Sequence, residues 1–551
     1  MGSPSSMKND STLIISCLCV MAATMAFGQE HISIAAREME RARRDGKHVE
    51  KPGKCGTAFA VAATASDRPM TAKTMGVERP VLQTQVFSPS GKFVIHYDTT
   101  GTNRPALLDG NGVPIPGTHR AYAESAAVAF DRAWSAEIDG LGYVPPPSDI
   151  LDGGSSAYDV YVIHQAAGMF GETIRDNTPV STTPNEKSVT WVLIDNDFAG
   201  LRTPGIAGLQ VTAAHEFFHA IQVGSYGLWT ETEFYWYELT AAWMEDVVFG
   251  EVNDYVYDVR DFFTSFRTTG FTALNSFWPG YERSVFAHFL SRRFDTSVIK
   301  RIWDYIGSQR TIPALRSALA ERGVTLEQAL GEFAVWNFFT GDRADTVRYY
   351  AEGHLYPRQT PLTMATAMGA TTTLSYLFSP LSQGHLVFAT AGDTLVGILA
   401  RTDEASGEQQ GSIVLSMNDP RLPRQEIVGG WQLGLRAEDP RAWEVEYFSA
   451  ATRRPTLRTH PRVSPNPWVL SSSRDLVLPV AGEIEDRVSV WLVSAAFEVV
   501  NVGEFTPSFV HGALAVRVPA ARVAGKIASG TYAVVVRCAG KENFWKLAVV
   551  R

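Results

Sequence analysis

The chain contains few cysteines. It has 4 in 551 residues, and two of them, Cys17 and Cys19, lie in an N-terminal segment that we expect to be removed. Cys55 and Cys538 then remain, and two cysteines do not make the disulfide framework of a small secreted scaffold. The chain must therefore fold on hydrophobic cores, and its length indicates three or four domains.

Basic clusters and long apolar runs are also missing. The net charge is -9, and no block of Lys and Arg is longer than "RARR". A nucleic-acid-binding protein needs a basic surface, so nucleic acid is excluded as an expected partner. Beyond the N-terminal segment, no stretch reaches the eighteen apolar residues of a membrane span, so we expect no stable membrane insertion.

The N-terminus has the features of a signal peptide. Lys8 precedes the apolar "LIISCLCVMAATMAF", and small residues follow at "AFGQ". This pattern predicts a signal peptide over residues 1–28 and a protein that is secreted or held at the cell surface. The alternative is a lipoprotein signal in which Cys17 carries the lipid.

The rest of the chain consists of three regions that differ in composition and periodicity. Residues 29–85 are charged and then rich in Ala, Thr and Ser, as in a pro-region. Residues 86–365 combine strands such as "SVTWVLIDND" with helices of 3.6-residue periodicity, which predicts an α+β domain with a mixed sheet and a helical subdomain. Short strands separated by turn residues predict two all-β, immunoglobulin-like sandwiches at 366–457 and 458–551, joined through the Pro-rich "RTHPRVSPNPW".

The stretch "VTAAHEFFHAIQ" contains an HExxH motif. Residues at i and i+4 share one face of a helix, so His215 and His219 can bind the same ion. Glu216 would then lie beside that ion, where a carboxylate can take a proton from water. The alternative is a pair of core histidines whose rings are satisfied by backbone carbonyls.

A third ligand is available in the next predicted helix, "TETEFYWYELTAAWMEDVVFG". Thr230 and Glu233 form a capping-box pattern at its start, which places Glu238 inside the helix. A glutamate on so apolar a face is costly to bury unless it is paired or binds a metal. A catalytic zinc has three protein ligands and one open position, which this set supplies.

These residues carry a family resemblance. "HEFFH" followed by "WYELTAAWME" resembles the signature of gluzincin metallopeptidases, in the branch of aminopeptidase N and leukotriene hydrolase. The resemblance implies a zincin-like catalytic domain with Zn²⁺ as cofactor and three ligands, which are His215, His219 and Glu238. It also implies that Glu216 is the general base and acid, and that Glu245 orients a ligand histidine.

The resemblance extends further but is not complete. "YERSVFAHFLSRRF" resembles an element whose tyrosine stabilises the oxyanion, which implies that role for Tyr281, with His288 as the second choice. The alternative for Tyr281 is simple packing at a helix start. Leu239 and Tyr237 occupy positions where the branch has Gly and Asn. This difference bears on the residues around the substrate more than on the metal ligands.

Cys55 is a candidate latency residue. It lies upstream of the metal motif in "KPGKCGTAF", and a thiolate could occupy the open zinc position of a precursor. The alternatives are a buried free thiol and a disulfide bond to Cys538. We also expect "SVTWVLIDND" to be the edge strand that pairs with an extended substrate, or else an ordinary core strand.

Two further resemblances complete the prediction. "KCGT", "HYDTTGT", "HEFFHAIQ" and "FAVWNFFTG" together are similar to a group of secreted bacterial metalloproteases. "SPNPW", "SGTYAVVVRCAG" and "KLAVVR" resemble the FlgD-like or Por-secretion sorting module, which implies export machinery as a partner. We expect a secreted zinc metallopeptidase that acts on peptides or proteins. The absence of a "GxMEN" motif favours endopeptidase action. The alternative is a non-catalytic surface protein that uses a degenerate zincin domain as a scaffold.

Overall fold

The computed structural model describes residues 54–57 and 79–551, apart from short gaps and residues 450–465. The short gaps are 166–167, 182–184, 230–233, 272–279, 367–368, 391–392, 418, 423–425, 429–430, 473–474, 481–486, 496–497, 511–512 and 539–540. The predicted signal peptide, most of the predicted pro-region, the predicted capping box and most of the Pro-rich linker lie outside the described residues. The fold is mixed α/β and divides into two compact units, the first ending at Thr360 and the second at Arg551, with 327–335 grouped in the second.

The first unit contains a five-stranded mixed sheet. Its strands are β1 (Thr84–Phe87), β2 (Phe93–Tyr97), β3 (Tyr158–Ile163), β4 (Gly171–Ser181) and β5 (Lys187–Asp195). Their order is β1-β2-β3-β5-β4. Strands β2, β3 and β5 run parallel, whereas β1 and β4 pair with their neighbours in the antiparallel sense.

The prediction that "SVTWVLIDND" is an edge strand is wrong. It forms β5, which lies between β3 and β4. Every residue of β5 after Lys187 is buried, as expected of a strand that is covered on both faces. The edge strand next to β5 is β4, which the sequence pattern did not identify, and β1 forms the opposite edge.

The helices in the described part of the chain are α1 (His119–Trp134), α2 (Gly205–Ile221), α3 (Phe234–Val248), α4 (Val256–Thr269), α5 (Ser284–Arg293), α6 (Ser297–Ile306), α7 (Thr311–Glu321) and α8 (Leu326–Phe338). They belong to the first unit except for residues 327–335 of α8, and α1 and α2 pack against the sheet. Helix α2 packs against α1, α3, β4 and β5. All its residues from 211 to 221 are buried, because a helix that is apolar on every side belongs in the interior. The HExxH motif therefore lies at the centre of this unit.

The second unit contains four antiparallel-rich sheets. The first eight strands are β6 (Thr363–Thr366), β7 (Thr371–Phe378), β8 (Gln383–Thr390), β9 (Asp393–Arg401), β10 (Gln409–Ser416), β11 (Glu426–Val428), β12 (Trp431–Ala437) and β13 (Trp443–Ser449). They form sheets of order β11-β12-β10-β7 and β13-β9-β8-β6, and both sheets contribute to one core around Phe378, Phe388 and Trp443.

The last eight strands have their own core. They are β14 (Trp468–Val469), β15 (Leu476–Pro479), β16 (Val488–Ser494), β17 (Val499–Phe505), β18 (Ser508–Val510), β19 (Ala513–Val518), β20 (Gly530–Cys538) and β21 (Lys541–Val550). Their sheets, β14-β21-β20-β16-β17 and β15-β19-β18, both contribute to a cluster that includes Trp468, Val516 and Val534.

Among the helices in the described ranges, none has both the length and the apolar character needed to cross a membrane.

Candidate metal centre

Four potential metal ligands meet inside the first unit. Helix α2 supplies His215 and His219, α3 supplies Glu238, and the segment 54–57 supplies Cys55. One ligand atom from each lies within 4.8 Å of every other, and all four residues are buried. The structure thus brings together the three predicted ligands and the predicted latency residue.

The distances among the predicted ligands suit a single ion. Nε2 of His215 and Nε2 of His219 are 3.1 Å apart. Oε2 of Glu238 lies 3.2 Å from the first nitrogen and 3.3 Å from the second. Ligands about 2.0–2.1 Å from a tetrahedral zinc are separated by about 3.3 Å, so these three atoms have the spacing of one tetrahedral face.

Hydrogen bonds on the far side of each ring fix which nitrogen faces the centre. Nδ1 of His215 is 2.7 Å from Oε1 of Glu245, and Nδ1 of His219 is 2.7 Å from Oε1 of Gln222. The Gln222 amide nitrogen donates to the carbonyl of Tyr237 at 3.0 Å, which turns its oxygen toward the ring. Both Nδ1 atoms are therefore donors, and both Nε2 atoms are free to present lone pairs to an ion.

The charge of the buried Glu238 carboxylate also favours a cation at the centre. Within the described part of the chain, neither carboxylate oxygen of Glu238 has a well-formed hydrogen bond, although the residue is fully buried. Burial would raise the pKa of Glu238, but the two histidines outweigh it and lower that pKa to about 2. Burial would lower the pKa of His215, but Glu238 and Glu245 raise it to about 9. In the metal-free chain a proton thus takes the place of the ion, and the residues fit a metal.

Glu216 lies beside the ligands without being one of them. Its Oε2 accepts hydrogen bonds from the hydroxyls of Thr57, at 3.1 Å, and Thr173, at 2.8 Å. The side chain is 1% exposed. A carboxylate held in this way is placed to exchange protons with a group at the centre.

Tyr281 also reaches the centre, whereas His288 lies elsewhere. The Tyr281 hydroxyl accepts a hydrogen bond from the backbone N–H of Cys55 at 3.2 Å, and its ring centroid is 5.8 Å from that of His215. Burial, with the nearby acidic residues, raises the pKa of Tyr281, so the hydroxyl keeps its proton. His288 instead stacks on Tyr255, and burial lowers its pKa to about 3.

The segment 54–57 is joined to the edge of the sheet by its backbone. Cys55 forms a parallel bridge with Gly171, the first residue of β4. The N–H of Gly56 donates to the Gly171 carbonyl at 3.0 Å, and the N–H of Phe170 donates to the Lys54 carbonyl at 2.8 Å. A Cβ at Gly56 would lie 2.7 Å from Cδ of Glu172, so any larger residue here requires the Glu172 side chain to move.

The side chains of the segment reinforce that position. Lys54 donates to Oε2 of Glu245 and to Oδ2 of Asp254, both at 2.5 Å. Burial and the charges of Glu216 and Glu238 raise the pKa of the Cys55 thiol, so a thiolate here needs a cation beside it. Cys55 and Cys538 are both buried free thiols in the described part of the chain.

Several residues of the site were not identified from the sequence. They are Lys54, Thr57, Thr173, Gln222 and Asp254. Of these, only Gln222 could have been predicted from the sequence, because it follows His219 by three residues and so lies on the same helical face. The others reach the centre through contacts that are distant in sequence.

Comparisons with known proteins give no relative. No protein-family model matches the chain, and no curated protein is similar enough to count as a match. Any statement about function therefore depends on the residues and their geometry.

Proposed function

We propose that the chain is a secreted zinc-dependent metallopeptidase whose precursor is kept inactive by residues 54–57. The observation that carries this proposal is the position of Glu216, a buried carboxylate that is not a ligand but lies next to a Cys/His/His/Glu centre. Zinc is the metal preferred by a mixed set of thiolate, imidazole and carboxylate ligands. The fold we propose for this part is zincin-like.

Zinc in this position would supply Lewis-acid activation of water and of a peptide carbonyl. The residues of the chain supply the rest of the chemistry. Glu216 takes a proton from the attacking water and returns it to the leaving amine. Tyr281 keeps its proton and donates a hydrogen bond to the carbonyl oxygen as negative charge develops there. Glu245 and Gln222 hold the two imidazoles in orientation.

The path of the 54–57 segment supports endopeptidase action. The segment pairs with β4 through backbone groups on both sides of Cys55, and the chain continues before Lys54 and after Thr57. A cleft that accepts an internal piece of chain does not require a free N-terminus. An extended substrate can use the same edge of the sheet, since β-strand addition is a common mode of peptide recognition.

A second candidate function is a permanently closed, structural metal site in a non-catalytic surface protein. The observation in its favour is Cys55 itself, because structural zinc sites have four protein ligands and no open position. In that case residues 54–57 stay in place for the life of the protein. The β-sheets of the second unit, which we propose to be immunoglobulin-like sandwiches, would then carry the binding function or contact export machinery.

The full chain carrying Cys55→Ser distinguishes the two candidates. As a peptidase, this variant should bind one zinc and hydrolyse casein faster than the unaltered chain, because the fourth position is no longer held by a thiolate. Glu216→Gln added to it should retain zinc and abolish hydrolysis, whereas Glu238→Ala should lose zinc. Cys538→Ser is the matched control and should change neither property. Zinc binding with no hydrolysis by the Cys55→Ser chain would contradict the peptidase and favour the structural site.

A further inference from the structure

The ammonium group of Lys54 occupies a buried acidic pocket next to the metal centre. We call this the ammonium pocket and define it by Glu245 and Asp254, which contact the ammonium directly, with Arg202 and Asp258 behind them. The side chains of Glu245 and Asp254 are fully buried, and that of Lys54 is 6% exposed. The pocket is thus a built site with a cation observed in it.

The pocket needs a cation whenever the 54–57 segment is absent. All three guanidinium nitrogens of Arg202 donate to Asp254 or Asp258, so four of its five N–H groups are directed at these two carboxylates and not at Glu245. Loss of Lys54 would leave three carboxylates facing one guanidinium. Glu245 would keep only Nδ1 of His215, and Asp254 would keep Arg202 and Thr203. An excess of buried negative charge is costly, so an opened site favours a ligand that brings a positive charge.

The position of the pocket relates it to the bound peptide. Lys54 immediately precedes Cys55, whose thiol lies at the metal centre, and both residues lie along the edge strand β4. An extended peptide on the same edge would place one of its side chains in the pocket and the neighbouring residue at the metal.

We propose that the ammonium pocket recognises a lysine side chain of the substrate, one residue away from the residue held at the metal. This inference rests on the proposed peptidase function and names its substrate class, namely peptides with lysine beside the scissile bond. Two converging carboxylate oxygens suit the compact charge of an ammonium group. A free N-terminal amine has the same chemistry, and the experiment must separate the two sources.

The test is a binding comparison on the zinc-loaded full chain carrying Lys54→Ala and Cys55→Ser, in which the segment no longer fills the pocket. The probes are three fluorescent peptides derived from residues 52–58 with Ser in place of the cysteine. The first is N-acetylated and keeps its lysine, the second is N-acetylated with norleucine in place of lysine, and the third has norleucine and a free N-terminus. Anisotropy should show at least tenfold tighter binding of the first peptide than of either other peptide.

Pocket variants give the matched controls. Asp254→Asn should remove most of the preference for lysine, whereas Asp258→Asn should retain it, because Asp258 contacts Arg202 and not Lys54. The three-peptide comparison needs no pocket variant, so it decides the matter even where Asp254→Asn fails to fold. Equal affinities for the first two peptides overturn the proposal, as does binding of the free-amine peptide as tight as that of the lysine peptide.

A hydrolysis measurement separates this proposal from the peptidase function. Cleavage sites in denatured casein, mapped by mass spectrometry with the chain carrying both Lys54→Ala and Cys55→Ser, should cluster next to lysine. Lysine-selective binding without any cleavage contradicts the peptidase but supports the pocket. Cleavage without a lysine preference, together with equal peptide affinities, contradicts the pocket and leaves the peptidase standing.

Discussion

Lys54→Met should release the 54–57 segment from the metal centre. The change keeps the unbranched apolar part of the side chain and removes its charge, which leaves Glu245 and Asp254 without the ammonium that contacts both at 2.5 Å. Removing one partner of a buried ion pair costs about 3–5 kcal/mol. Asp254 keeps its hydrogen bonds from Arg202 and Thr203, so the lower end of that range applies.

A loss of about 3 kcal/mol corresponds to roughly a hundredfold change in an equilibrium constant, since one factor of ten is about 1.4 kcal/mol. The opening of the segment should therefore increase about a hundredfold. Opening exposes the Cys55 thiol, which is otherwise 1% exposed. The rate at which iodoacetamide labels Cys55 should rise by the same factor when opening and closing are fast compared with labelling.

Mass spectrometry of proteolytic fragments measures the iodoacetamide labelling rate of each cysteine separately. Cys538 is equally buried, lies in the second unit and provides an internal reference within the same molecule. Lys300→Met is the matched variant, because Lys300 pairs with Asp304 on a partly exposed helix face and not with the metal centre. An increase below threefold at Cys55, or an equal increase at Cys538, would refute the view that Lys54 anchors the segment.

Three further predictions concern the surroundings of the centre. Gly56→Ala should raise the labelling rate of the segment's thiol about tenfold, because the new Cβ would meet Glu172 and overpacking costs about 1–3 kcal/mol; an unchanged rate would contradict the close approach. Glu245→Gln should weaken zinc binding about 10–100-fold in a chelator competition, because the partner of His215 loses its charge; an unchanged affinity would count against this role. Burial raises the pKa of Asp246 from 3.8 to about 7, so the folded state favours the neutral carboxyl and stability should fall as the pH rises through that window. The free energy of unfolding of Asp246→Asn, measured with denaturant, should not show this fall. Relative to that of the unaltered chain it should therefore increase by about 2 kcal/mol between pH 5 and pH 8. Parallel pH profiles of the two chains would disprove this.

The metal ligands could be predicted because helical geometry links them to sequence spacing. His215 and His219 lie one turn apart on α2, and Glu238 and Glu245 lie two turns apart on α3. A period of 3.6 residues places each pair on one helix face, whatever the rest of the chain does. Helical spacing thus predicted the His215 and His219 pair, and the cost of burying a glutamate on an apolar helix face indicated Glu238. The role of Glu245 came only from the resemblance to gluzincins.

The edge of the sheet could not be predicted in the same way. Strand β4 contains Arg, Asp, Asn and Pro, and its composition is not typical of a buried strand. Its first residues are buried all the same, because β5 covers one side and residues 54–57 bridge to it at Gly171. Strand β5 is buried along its length, and high apolarity on both faces indicates an interior position, so the alternative of an ordinary core strand is the one that the sheet order supports.

The contacts of Lys54 could not be predicted from the sequence either. Lys54 and Asp254 are 200 positions apart, and Lys54 and Glu245 are 191 apart. No periodic pattern connects residues over such distances, and a single lysine in a Gly- and Pro-containing stretch is ordinarily solvated. Only the folded chain shows that this residue is buried and that it lies beside a cysteine at the metal centre.

Glu216 bears most directly on the choice between a latent catalytic centre and a permanent structural one. A four-ligand structural site needs Cys55, His215, His219 and Glu238, but it gains nothing from a further carboxylate. Burying Glu216 has a cost that two threonine hydroxyls offset only in part, and a glutamine or an apolar residue would be cheaper there. One of those hydroxyls belongs to Thr57, so it leaves with the segment that carries Cys55. Departure of the segment would thus free the fourth metal position and the carboxylate together, which is the arrangement that hydrolysis requires and that a structural site has no reason to contain.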